Sequence, residues 1–149
     1  MSTALTLWYA FLLALVLTFA FGALGVWILD EAFKSDEDIE QKAWIIRVFA
    51  AIDGNVWQRQ NLVNDKNAVI RVLVAEFGNT RQRDQLINDR VYNVRRTVAI
   101  YGTDEQRQQL IDDEDRRVRE AVAIYGTDKQ RLMLANDPDS SVRKAARSM

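Results

Sequence analysis

Arginine recurs every 24 residues in two series, and these are the side chains of this chain best placed to do chemistry. One series is Arg47, Arg71, Arg95, Arg119 and Arg143; the other is Arg59, Arg83, Arg107 and Arg131. A guanidinium grips carboxylates and phosphates with two parallel hydrogen bonds. The first series has a regular acidic companion: Asp65, Asp89, Asp113 and Asp137 each stand six residues before an arginine, while Gln41 holds that place before Arg47. The second series has no equally regular acid, so Arg59, Arg83, Arg107 and Arg131 are the candidate surface for phosphates or carboxylates.

Other chemistry is poorly provided for. The chain has no histidine and no cysteine, which removes an imidazole base, a thiol nucleophile, thiolate metal clusters and disulfides. The run Asp112-Asp113-Glu114-Asp115 could attract a hard cation, but Asp113 belongs to the repeat, so the run is read as a helix start. Gly78, Gly102 and Gly126 are spaced like helix terminators and form no phosphate-cradling loop. No enzyme, cofactor or metal site is expected.

The elements that position the arginines follow from the same period. Self-similarity at a fixed spacing of this size marks stacked units, each burying its apolar face on its neighbours. Within one unit, Val94, Val98 and Tyr101 have the spacing of one helix face. Gly102 follows where a left-handed C-terminal residue is expected, and Thr103 is the expected N-cap of a second, short helix from Asp104 to about Ile111 that buries Leu110 and Ile111. Running the register backwards reaches Gln41.

These residues carry a resemblance. The pattern Val94-Arg95-x-x-Val98-Ala99-x-Tyr101-Gly102-Thr103-x-x-Gln106-Arg107-x-x-Leu110-x-x-Asp113, and the stretch Leu134-Ala135-Asn136-Asp137-Pro138-Asp139-Ser140-Ser141-Val142-Arg143, resemble the bacterial leucine-rich repeat variant, similar in form to HEAT-like repeats. The resemblance covers roughly two-thirds of the chain and implies a right-handed superhelix of alternating α and short helices, with the first arginine series and its aspartates stacked as a structural ladder between adjacent units, as in HEAT-like arrays. It says little about function, because such arrays serve as binding surfaces. The iron–sulfur cluster of one member of that family needs cysteines, which this chain lacks.

Ahead of the repeats, Met1 to Leu29 contains no charged side chain. Leu5 to Leu29 is long enough to cross a bilayer, which takes about 20 apolar residues. Trp8, Tyr9 and Trp27 fall where an aromatic belt would place them. A cleaved signal peptide would carry a basic start and a shorter apolar run, so a spanning helix is expected. Thr6, Ala10, Ala14, Thr18 and Gly22 recur every fourth residue and form a candidate helix-packing stripe. Lys34, Lys42 and Arg47 follow the span and none precedes it, which points to a cytoplasmic repeat domain. Residues 30–40 are acidic: the first 40 residues hold one base and six acids, and the remainder 19 bases and 15 acids. That near-balance argues against nucleic acid, which calls for a clearly basic face.

The expected architecture is therefore all-α: a transmembrane helix (1–29), an acidic juxtamembrane connector (30–40) and a short α-solenoid (41–149) of about four and a half 24-residue two-helix repeats. Column comparison picks out candidate protein-binding residues. Trp57 stands where other units have Arg81, Glu105 and Lys129, and Trp44 where they have Ala68, Tyr92, Arg116 and Ser140. Val91 and Tyr92 replace polar residues in a turn. The expected role is a non-catalytic, single-pass scaffold or accessory subunit of a complex in a bacterial inner membrane. Its partners would be lipid, integral membrane subunits and a protein bound by the repeats. The alternative is a tethered receptor for nucleic acid or another anionic ligand.

Overall fold

Side-chain caps open most of the helices, and apolar columns that return with the 24-residue period pack the repeats. The computed structural model describes residues 36–148, with side chains from Ala43 onward, and the chain divides into two units at Ile45/Ile46. Among the described residues the fold is all-α. Its helices are α1 (Asp36–Ile52), α2 (Val56–Gln60), α3 (Ala68–Phe77), α4 (Thr80–Leu86), α5 (Tyr92–Tyr101), α6 (Asp104–Gln109), α7 (Arg116–Tyr125), α8 (Asp128–Leu134) and α9 (Ser140–Arg147). The expected membrane span and the stripe Thr6, Ala10, Ala14, Thr18 and Gly22 lie outside the described residues. Among the described residues no helix is long and apolar enough to cross a membrane. The acidic stretch assigned to a connector is helical from Asp36, where carboxylates suit the positive end of a helix.

Long and short helices alternate. The long helices α3, α5, α7 and α9 pack each on the next, and the short helices α4, α6 and α8 pack beneath them. Ile70, Val94, Val118 and Val142 form one fully buried column, and Val74, Val98 and Val122 another. The ends of the first three short helices and the turns after them add Leu62-Val63, Leu86-Ile87 and Leu110-Ile111 to the same core. The short helices are thus tied down by their ends, because five to seven residues are too few to be stable alone.

All four short helices open with a capping box. Asn55 with Gln58, Asn79 with Gln82, Thr103 with Gln106, and Thr127 with Gln130 exchange side-chain and backbone bonds, which satisfies two amides left orphaned at a helix start. Thr103 is the N-cap that its sequence position implies.

Three local expectations need correction. Gly102 is extended, at φ −78° and ψ 178°, so no left-handed residue ends the helix. The glycine is required by space: a β-carbon there would lie 2.4 Å from Val98 O and 2.8 Å from Gln106 Oε1. Tyr101 does not belong to the buried face. It is 47% exposed, and its hydroxyl donates to Glu76 Oε1 at 2.9 Å in the preceding unit. The short helix α6 stops at Gln109, and Leu110 and Ile111 are buried from the turn beyond it.

Candidate functional site

The first arginine series is a continuous inter-unit ladder. Arg71 donates through Nε and Nη2 to both carboxylate oxygens of Asp89, at 2.6 and 2.9 Å. Arg95 does the same to Asp113 at 2.7 and 2.9 Å, and Arg119 to Asp137 at 2.7 and 3.0 Å. The third nitrogen, Nη1, reaches back to the main-chain oxygen of Asp65, Asp89 or Asp113 in the arginine's own unit. Each guanidinium therefore joins the aspartate backbone of one unit to the aspartate carboxylate of the next. The carboxylates also accept the amide two residues on, from Val91, Asp115 and Asp139, which shapes the turn that opens each long helix. Burial pushes the Asp89 carboxyl up, but the Arg71 fork and the Val91 amide outweigh it and hold it below the ordinary carboxylate value. At Asp137 the Arg119 fork is the main cause of the same lowering.

The second series is turned inward. Arg59 donates to Ile52 O, Arg83 to Ala75 O and Glu76 O, Arg107 to Ala99 O, and Arg131 to Gly126 O. These carbonyls lie at or just beyond the C-terminal end of the preceding long helix, where they lack an intrahelical donor and a cation is favoured. Arg107 and Arg131 also pair with Asp104 and Asp128 on their own short helix. Nε of Arg59 and of Arg107 is buried without a hydrogen-bond partner, and burial lowers the Arg83 pKa. The guanidiniums of this candidate series are thus engaged at helix ends.

Beside the second arginine series runs a column of glutamines. Gln82, Gln106 and Gln130 are buried, and besides closing a capping box each donates through Nε2 to the preceding short helix, at Val56 O, Thr80 O and Asp104 O. Gln106 adds a bond to Asp84 Oδ1 at 2.6 Å. The signal was legible: Asn or Thr followed three residues later by Gln, four times over.

The candidate contact residues separate. Trp57 is 72% exposed. Trp44 is also exposed. Val91 and Tyr92 are half-buried and pack against the core. The Tyr92 ring carries the Arg117 guanidinium 3.5 Å above its centroid, a cation–π contact between successive long helices. Arg117 in turn holds Asp115 down to about 2. These two residues thus have partners within the chain, while the two tryptophans are exposed. Within the acidic run, Asp113 and Glu114 bond Arg95, and Asp115 caps α7.

Compared with family models, with curated proteins and with solved structures, the chain matches none of them.

Proposed function

We propose that the protein is a non-catalytic, membrane-anchored scaffold or accessory subunit of a larger bacterial membrane complex, which binds a protein partner through a short α-solenoid of the leucine-rich-repeat-variant kind. The observation that carries this reading is the division of labour among its side chains. The charged columns hold unit to unit, while large apolar side chains, Trp57 above all, stand exposed. A rigid array with exposed aromatics suits recognition, because preorganisation lowers the entropic cost of association. The uncharged stretch Met1 to Leu29 supplies the anchor, and the small-residue stripe through Gly22 a face for a neighbouring transmembrane helix. A receptor for nucleic acid draws no support from the second arginine series, whose guanidiniums cap helices.

The test is purification of the full-length protein in mild detergent after nuclease treatment, with mass spectrometry of what co-elutes. A stoichiometric integral membrane protein, lost with Gly22→Leu or Trp57→Ala, is the expected result. A protein that elutes alone from every membrane extract would overturn the subunit reading.

A further inference from the structure

Exposed rings recur along one strip of the array. The starts of the short helices stand in line, because Gln82, Gln106 and Gln130 each bind the preceding short helix at its start, on Val56 O, Thr80 O and Asp104 O. Just before those starts the long helices α3, α5 and α7 end in Phe77, Tyr101 and Tyr125. Phe77 and Tyr101 have a unit on either side and are still 42% and 47% exposed, so their exposure belongs to the interior of the array. The strip is held firmly: Tyr101 bonds Glu76, next to Phe77, and Arg83 holds the Ala75 and Glu76 carbonyls.

The first unit departs from this pattern twice. Asp53, which is exposed, stands where the later units have the ring, and Trp57 brings a larger ring to the strip from the first turn of α2. Residues 52–57, 76–81, 100–105 and 124–129, which form the strip, hold five acids and two bases. Stacked rings also suit the bases of single-stranded nucleic acid, but an excess of carboxylates repels phosphate and favours a basic segment.

Spacing narrows the occupant further. The helices α3, α5 and α7 pack each on the next, and packed helices lie about 8–10 Å apart. A polyproline II segment advances about 9 Å in each three-residue turn, so equivalent positions along it fall once per unit. Its backbone makes no hydrogen bonds of its own. The Tyr125 hydroxyl, whose column neighbour is Ile100 where Tyr101 has Glu76, meets no acceptor among the described residues.

We propose that the strip from Trp57 through Phe77 and Tyr101 to Tyr125 docks a proline-rich, basic segment of a protein partner in the polyproline II conformation. Proline rings pack between the aromatic side chains, as in other aromatic-lined grooves, a basic residue meets Asp53, and the Tyr125 hydroxyl donates to a peptide carbonyl. This rests on the partner-binding reading above and names the chemistry of the partner.

The full-length protein in mild detergent would be titrated into a labelled synthetic peptide, Arg-Pro-Pro repeated four times, with fluorescence anisotropy as readout. Saturable binding is expected, at least about tenfold tighter than to Arg-Gly-Ser repeated four times, which keeps the charge and loses the conformation. Trp57→Ala and Phe77→Ala should each weaken it by about fivefold or more, and Asp53→Asn should weaken it and flatten its salt dependence. The change of peptide leaves the protein untouched, so a variant that fails to fold would not blunt the test. Equal affinity for the two peptides, or no saturation in the millimolar range, overturns the proposal. So does an oligothymidine that binds more tightly than the proline peptide and competes with it. A co-purifying membrane partner retained by Phe77→Ala and Tyr125→Ala overturns the strip and leaves the broader function standing. Tight, proline-dependent binding by a protein that elutes alone from every membrane extract upholds the strip and overturns the stable subunit.

Discussion

Arg95→Met should destabilise the chain far more than a surface arginine change, and the ladder geometry sets the size. The Arg95 and Asp113 side chains are 8% and 6% exposed and share two hydrogen bonds. Methionine fills much of the aliphatic space but leaves a carboxylate shielded from water without its cation. Breaking a buried pair in this way costs about 3–5 kcal/mol. Asp113 keeps the amide of Asp115 at 2.9 Å, so about 3 kcal/mol, the lower end, is expected. Arg47→Met is the internal control. Arg47 is 28% exposed and sits 3.2 Å from Asp65, so solvent screens that pair and the loss should be near 1 kcal/mol, the upper end for exposed pairs.

The assay is urea denaturation of the full-length protein at fixed detergent, followed by helical circular dichroism. Adding Asp113→Asn to Arg95→Met should recover about 1–2 kcal/mol relative to the sum of the single changes, because residues in one network do not add. Additivity within about 0.5 kcal/mol, the scatter of uncoupled sites, or equal losses at Arg95 and Arg47, would refute the claim that the ladder joins the units.

Gly102→Ala should lower stability by about 1–3 kcal/mol, the cost of overpacking, since its β-carbon would sit 2.4 Å from Val98 O; an unchanged melting temperature would show that the turn relaxes freely. Gln106→Leu leaves Thr80 O and Asp84 without their donor and should cost about 2 kcal/mol, read by the same urea transition. Acid should unfold the chain through the ladder. Asp89 and Asp137 titrate below the ordinary carboxylate value of 3.8 in the fold, and Asp115 is held at about 2. Their contribution is therefore complete above that ordinary value and is lost as pH falls through the lowered ones. Thermal melts should be flat from about pH 7 to 5 and fall between about pH 4 and 2; a transition still unmoved at pH 3 would contradict the assignment.

How much was legible divides by the kind of constraint. The period located the long helices, the apolar columns and the Arg–Asp pairing, because each recurs four or five times and chance does not. Where one column admits two physical explanations, spacing could not choose. Glycine after a helix suggests a left-handed residue, yet here an extended glycine avoids its own helix carbonyl and the buried glutamine next door. Tyr101 keeps helical register with Val98 but lies at the helix end, where a hydroxyl reaches Glu76. An arginine with no acid in register looked free; its acceptors were backbone carbonyls, which no residue pattern displays.

That last point governs how the charge of the repeats should be counted. Formal composition credits residues 41–149 with four positive charges more than acids, as if all were open to a ligand. Arg71, Arg95 and Arg119 are neutralised by aspartates from the following unit, and Arg59, Arg83, Arg107 and Arg131 face the partial negative charge of helix C-termini. Neither set can turn outward without breaking the array, because the same nitrogens hold it together. What remains for recognition is the exception in a column, a tryptophan among charges at position 57. In a repeat protein the consensus columns explain the fold, so the departures from them are where a partner must be sought.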